Sequence, residues 1–407
     1  MSFNRVTYYT LLSCAAGVVL ASGSALAQDQ DRIDKLEQQV QSLQQQVNKP
    51  IENRVRFNGF FSVAYGAASN DAGYIGYMKE GTFENESLFG LQGAFTITDQ
   101  TEVTMQLVGR GNENWEPSLE WAYISHSFSS DFKARAGKMR LPLFMYSDSL
   151  EVGYAQPWLR PPEEIYGAIP VTSYTGIDGL YDINFDMSTL TLQAFVGESK
   201  EDITQLGQVV ELEVNDLLGG SATWTDFTWT LRGNVAVTDI NTGGGDDIPT
   251  EFYGLGFGYN NGRLQLLSEF TRLEIDGATP DADAAYFTAA YTFGSVTPYA
   301  TYSVRESTDD DERPYSRGFI FAAITNPASP FFGNSEAIAL SDVQNTERSA
   351  YSLGLRWDVM SNVALKFDVT RASGFGDTGG GLSGNNFTPV VVYDDADVYT
   401  IKLDAAF

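Results

Sequence analysis

Tyr399-Thr400-Ile401-Lys402-Leu403-Asp404-Ala405-Ala406-Phe407 decides the fold, because Tyr399, Ile401, Leu403, Ala405 and Phe407 share one face while Thr400, Lys402 and Asp404 share the other. Alternation of this kind is the period of a half-exposed strand, not of a helix. The same grammar recurs toward the N-terminus, at Leu365/Phe367/Val369, Tyr351/Leu353/Leu355/Trp357, Val296/Pro298/Ala300/Tyr302/Val304 and Trp229/Leu231/Gly233/Val235/Val237. It returns at Val103/Met105/Leu107, at Phe89/Leu91/Gly93/Phe95/Ile97 and at Phe57/Gly59/Phe61/Val63/Tyr65, whose other face carries Arg56, Asn58 and Ser62. Each segment has about ten residues, the length a tilted strand needs to cross a bilayer.

Candidate strands fall near 54–66, 87–98, 101–111, 117–128, 131–140, 176–185, 188–197, 217–224, 227–238, 251–260, 263–274, 284–293, 296–306, 349–358, 363–373 and 397–407. Their connections alternate between short turns, such as Asp99-Gln100 and Asn261-Gly262, and longer stretches at 67–86, 141–175, 198–216, 239–250, 307–348 and 374–396. Short turns at one end and long loops at the other are the layout of an outer-membrane barrel. Tyr, Phe and Trp recur at strand ends, where interfacial girdles would lie. The fold class expected is therefore all-β: a transmembrane antiparallel β-barrel of about 16 strands, closed because an open sheet this wide would leave unpaired edges.

Composition narrows the function. The chain has 407 residues with 25 Lys+Arg against 53 Asp+Glu, a formal charge of −28, which is unsuited to a nucleic-acid partner. Cys14 and His126 are the only residues of their kinds. A disulfide framework, a Cys-rich zinc site and a multi-histidine centre are thereby unavailable, and neither cofactor nor metal is expected. An outer-membrane barrel enzyme of lipase or protease type is the alternative from another class; His126, in Ser125-His126-Ser127, is its one imidazole, with no second anchored element for a triad.

Residues 1–27 read as an export signal, with Asn4-Arg5, an apolar run around Leu11 to Leu20, and the small-residue ending Ala25-Leu26-Ala27. Residues 28–53 follow as a periplasmic coiled-coil segment: Ile33, Leu36, Val40, Leu43 and Val47 make a heptad seam with β-branched residues at a and Leu at d. Two heptads are too short to hold alone, so the segment argues for an oligomer; a cell-wall tether is a further alternative, disfavoured by that brevity. Residues 54–407 form the barrel.

The terminal strand ending in Phe407 closely resembles the C-terminal signature of Gram-negative outer-membrane proteins, whose final aromatic is read by the barrel-assembly machinery. The order of export signal, short coiled coil and barrel is similar to that of the trimeric porins, among them the DcaP-like porins, with the phosphate-selective porins as relatives. The resemblance implies a homotrimer in the cell outer membrane, in contact with its lipid and lipopolysaccharide. It also implies passive diffusion of small hydrophilic solutes and a long loop folded into the lumen. The segment 141–175, with five prolines and Arg160, suits that loop, since proline lowers loop entropy.

The sixteen candidate segments hold 15 of the Lys and Arg residues and 13 of the Asp and Glu residues, so the excess acid belongs to the rims. By alternation the lumen should carry Arg56, Arg110, Arg232, Arg305, Arg356, Lys366 and Lys402, opposed by Glu102, Asp178, Asp182, Asp358, Asp368 and Asp404. Charged rings set selectivity in such pores. The most basic stretch is Lys133-Ala134-Arg135-Ala136-Gly137-Lys138-Met139-Arg140. Strict alternation cannot place all four cations inside, so either a bulge near Gly137 re-aims them or one pair faces a neighbouring subunit. With Lys138 and Arg140 at the constriction, anionic solutes would be favoured, against an acidic rim that concentrates cations.

Overall fold

The computed structural model describes residues 54–205, 208–277, 279–309, 327, 345–376, 378–382 and 393–407. The export signal, the coiled-coil segment and most of the connection 307–348 lie outside the described residues. Sixteen antiparallel strands close into one barrel, each paired to its sequence neighbours and the first paired to the last. They are β1 Val55–Ala68, β2 Leu88–Thr98, β3 Thr101–Arg110, β4 Pro117–Ser127, β5 Phe132–Arg140 and β6 Ser173–Asn184. There follow β7 Thr189–Gln205, β8 Gln208–Thr225, β9 Trp229–Thr242, β10 Ile248–Asn260 and β11 Leu264–Ile275. The last are β12 Ala282–Tyr291, β13 Val296–Ser307, β14 Glu347–Met360, β15 Val363–Ser373 and β16 Asp395–Ala406.

The alternating faces sort as physics requires. Outward residues are large, apolar and bare: Phe57, Ile177, Leu255 and Leu353 are all more than half exposed. Each such side chain forgoes roughly 1.5–3 kcal/mol of burial in water, and a continuous apolar belt of this extent marks a surface made for another phase. Phe128, Phe185, Phe227 and Phe293 crowd the outer rim at the turn end, and Tyr65, Tyr302, Tyr351 and Tyr399 the outer rim at the loop end. These are two aromatic girdles flanking an apolar band.

The seam runs from Phe60↔Ala406 to Ala68↔Val398. Beyond it Gly59 and Phe407 exchange backbone hydrogen bonds of 2.7 and 2.9 Å. The Phe407 ring occupies the place a Cβ on Gly59 would take, 2.4 Å from that position, so glycine here leaves room for the last aromatic.

Two expectations change. The stretch 198–216 is not a loop: β7 and β8 continue as a hairpin from Ser199↔Val214 to Gln205↔Gln208. The β7–β8 ladder slips at Gly197/Ser199 and the β8–β9 ladder at Asn215/Leu218, shifting the inside–outside parity, so the alternation looks as if it ends. Nor does β5 bulge at Gly137: its register with β4 and with β6 is unbroken. Gly137 instead takes φ 134, and an added Cβ would meet the Ala122 carbonyl at 2.3 Å.

Candidate functional site

The loop Leu141–Thr172 between β5 and β6 folds into the barrel, where its position is set by inward side chains of the wall. Met145 N donates to Glu269 on β11 at 2.7 Å, and that carboxylate also accepts from Tyr286 (3.0 Å) and Tyr166. Arg232 on β9 donates to the Pro142 carbonyl at 2.6 Å. Across the lumen, Lys366 on β15 donates to the carbonyls of Gly153, Gln156 and Trp158 at 2.6, 3.0 and 2.8 Å. Arg356 on β14 holds the carbonyls of Tyr154 and Gln156, and Lys402 on β16 that of Leu159. Tyr299 completes the frame: its hydroxyl accepts from Leu159 N at 2.8 Å and donates to Asp368 at 2.6 Å. Edge-on aromatic contacts, Trp158 with Tyr286 (5.9 Å) and with Tyr146 (5.6 Å), fill the remaining space.

The wall is carved to receive the loop. Inward positions 256 and 258 are glycines, and a Cβ on either would stand 3.2 or 3.0 Å from Met145. The loop's far point reaches the turn end, where Tyr154 donates to the Ser361 carbonyl at 2.6 Å. Its single helical turn, Glu163–Tyr166, docks by Glu164, which accepts from Tyr74 (3.0 Å), Arg348 (2.8 Å) and Ser303 (2.6 Å). Glu86, in the β1–β2 loop, adopts a left-handed φ of 59 and meets Arg160 and, at 4.0 Å, Lys402. A strained acid that ties two cations to the loop fits a site where position outranks local comfort.

Most of the cations expected in the lumen are occupied. Lys366 has no exposed surface and lies 2.9 Å from Asp404. Arg160 meets Asp368 at 3.7 Å, and Arg356 pairs with Asp358 at 2.8 Å. Arg110 pairs with Glu120 at 2.6 Å and with Glu151 of the loop, and Arg140 reaches Glu151 at 2.8 Å and Glu120 at 3.6 Å. Arg135 grips Asp178, and Arg56 meets Glu102 at 2.5 Å near the turn end. Arg140, Arg160, Lys366 and Lys402 are all buried: Arg140, Lys366 and Lys402 brace the loop from the strands, and Arg160 braces it from within. Lys138 is a further correction. Its register opposite Ala122 and Thr175 puts it on the face that Ile124 and Ile177 turn outward. Lys133, Arg232 and Arg305 carry no ion pair among the described residues.

Sequence reasoning missed Asp148, an exposed acid of the loop. Its charge is felt at both Arg135 and Arg232, an acid on the loop acting on bases of the wall. The signal was present, for Asp148 is one of few acids in a proline-rich segment, but nothing in one sequence says which wall it faces. Glu163 adds a second charge. Burial pushes its carboxyl up to about 7 against the pull of Arg348 and Arg160, with Glu164 and Glu86 raising it further. His126 shares a 2.8 Å hydrogen bond with Thr101 and stacks edge-on with Phe128; among the described residues no carboxylate orients its ring.

No family model matches the chain, and no curated protein matches it in sequence. Solved structures do resemble it. An anion-selective porin from Comamonas acidovorans superposes with a TM-score of 0.54 at 14% identity, over 87% of this chain and 99% of the other. OmpF of Salmonella typhi, in complex with daunomycin, gives 0.56 at 9% identity over 87% and 97%. The outer membrane channel DcaP of Acinetobacter baumannii gives 0.50 at 12% identity over 87% and 97%. What this chain shares with them is a fold, the closed sixteen-stranded antiparallel barrel of outer-membrane porins.

Proposed function

We propose that the chain is a passive outer-membrane channel through which small hydrophilic solutes, preferentially anions, diffuse past a constriction formed by the loop 141–172. One observation carries the reading: a long loop is braced inside an apolar-coated barrel by hydrogen bonds to Glu269, Arg232, Arg356, Lys366 and Lys402 of the wall, with exposed Asp148 within electrostatic reach of Arg135 and Arg232. Opposed charges at a neck orient dipolar solutes and select by sign. The loop end is extracellular and the turn end periplasmic, as short periplasmic turns are the rule for such barrels. In the same reading residues 1–27 direct export, 28–53 form a periplasmic coiled coil that favours a homotrimer, and Phe407 addresses the chain to the barrel-assembly machinery. Lipid and lipopolysaccharide contact the outer face, and no chemistry is performed.

Conductance in planar bilayers tests this. The purified chain should give stepwise, non-saturating currents in potassium chloride, with a reversal potential in a salt gradient that reports anion preference. Asp148→Asn should strengthen that preference and Arg135→Gln weaken it. A preparation that inserts yet never conducts would sink the channel assignment.

A further inference from the structure

Among the described residues, most of the charge in the lumen is paired within the protein. Arg110 and Arg140 are matched by Glu120 and Glu151, and Arg135 by Asp178. Arg160, Lys366 and Lys402 are matched by Glu86, Asp368 and Asp404. Arg348 is matched by Glu164. Arg305, near the loop end of β13, breaks the pattern. It faces Arg348 directly across the β13–β14 ladder, both on the inward side. Two guanidinium groups opposite one another repel. Arg348 is relieved, for Glu164 takes it at 2.8 Å, the Gly380 carbonyl accepts from it at 2.8 Å, and its head lies 5.1 Å over the Tyr74 ring. Arg305 is not: its Nε is buried with no acceptor, and among the described residues its guanidinium has neither hydrogen bond nor ion pair.

Among the described residues the acids nearby do not fill the gap. Both oxygens of Glu164 are engaged, by Tyr74 and Arg348 at one and Ser303 at the other. Glu163 acts on Arg305 through its field but brings no oxygen within ion-pair distance. Two other wall cations without a carboxylate differ in kind. Arg232 already donates to Pro142 and Thr223, and Lys133 is an exposed point charge near the turn end. A guanidinium is a planar fork whose donors suit two oxygens of one oxyanion, and a buried donor without an acceptor is costly.

We propose that Arg305 is a docking point for the oxyanion group, carboxylate or phosphate, of a permeating solute, set between the loop-end mouth and the constriction. This rests on the channel reading and deepens it. A solute arriving from the loop end exchanges its hydration for the open fork of Arg305, held near the surface of the helical turn that Glu164 pins, before it passes Asp148.

The experiment is the dependence of single-channel conductance on salt concentration, for the full chain in planar bilayers, in potassium acetate, potassium phosphate and potassium chloride. The wild-type curves should saturate in acetate or phosphate and stay near-linear in chloride. Arg305→Gln should raise the half-saturating oxyanion concentration about tenfold, equivalent to about 1.4 kcal/mol. Arg305→Lys should keep the reversal potential yet lose most of the saturation, because an ammonium lacks the fork. Saturation in only one of the two oxyanion salts would identify which group the site takes. The docking point is overturned if wild type and Arg305→Gln conduct with superimposable curves in both oxyanion salts. It is equally overturned if Arg305→Gln shifts chloride and oxyanion currents alike, since that is a general field effect. No conductance from the wild type is a different failure, of the channel reading itself.

Discussion

Lys366 shows what one residue does inside this barrel. A lysine with no exposed surface costs desolvation, and here three backbone carbonyls and Asp404 offset it. Its removal leaves a buried carboxylate and three carbonyls short of donors. Lys366→Met should therefore cost about 3–5 kcal/mol of unfolding free energy, measured by urea titration in lipid vesicles, and Lys366→Met with Asp404→Asn should recover part of it. A Met variant as stable as the parent would show that the ammonium is dispensable as a brace. Alternation had put Lys366 on the inner face, which is where it lies. It could not say that a loop covers that face, because period two reports which side a residue points to and nothing of what stands there. The same limit explains Arg140 and Lys402, legible as inward or basic but not as buried. Arg160 was expected in the loop, but its tie to Asp368 depends on a fold of that loop that no periodicity encodes.

At the scale of the element, the helical turn Glu163–Tyr166 is where titration should be felt. Glu163 is half-buried, facing Arg348 on β14, Arg305 on β13, Glu86 in the β1–β2 loop, and Arg160 and Glu164 in its own loop. Its carboxyl is raised from 4.5 to about 7, so across that window the folded protein holds a proton that the unfolded chain releases. Stability from this group is thus full below about 4.5 and declines until pH passes about 7, the reverse of the usual carboxylate. Urea midpoints measured across that window should fall with pH for the wild type, and Glu163→Gln should flatten the fall by on the order of 1 kcal/mol. Equal slopes for the two proteins would contradict the assignment. Elements also mark where sequence reading succeeds. Hairpins with unbroken register, such as β12–β13, are evident from alternation, whereas β7–β8 reads short because its own ladder slips once and the β8–β9 ladder slips beside it. In β5 the four cations demanded some irregularity near Gly137. The chain supplies a backbone twist only glycine tolerates, without an extra residue.

For the molecule as a whole, the decisive quantity is where the net charge of −28 resides. Inside, acids and bases pair. Outside, at the loop end, carboxylates stand directly opposite one another: Glu251 across from Glu274, Asp283 from Glu306, and Glu306 from Glu347. Arg272 offsets Asp283 at 2.6 Å and Arg371 offsets Asp397 at 2.9 Å, leaving the rim acidic. Such a rim acts on ions at a distance, whereas on the proposed reading Arg135, Arg232 and Arg305 would act on a solute in contact with the wall. The two ranges respond differently to salt, because the screening length is roughly 30 Å at 0.01 M and roughly 3 Å at 1 M. In dilute salt the rim's field would enrich cations at the mouth and oppose the proposed anion preference. In concentrated salt that field is confined to the rim, and the wall decides. Reversal potentials taken at a fixed concentration ratio should therefore move toward anion selectivity as mean ionic strength rises. A selectivity that stays constant, or that moves toward cations with added salt, would mean that the rim does not govern entry and that the wall bases are not the selecting charges.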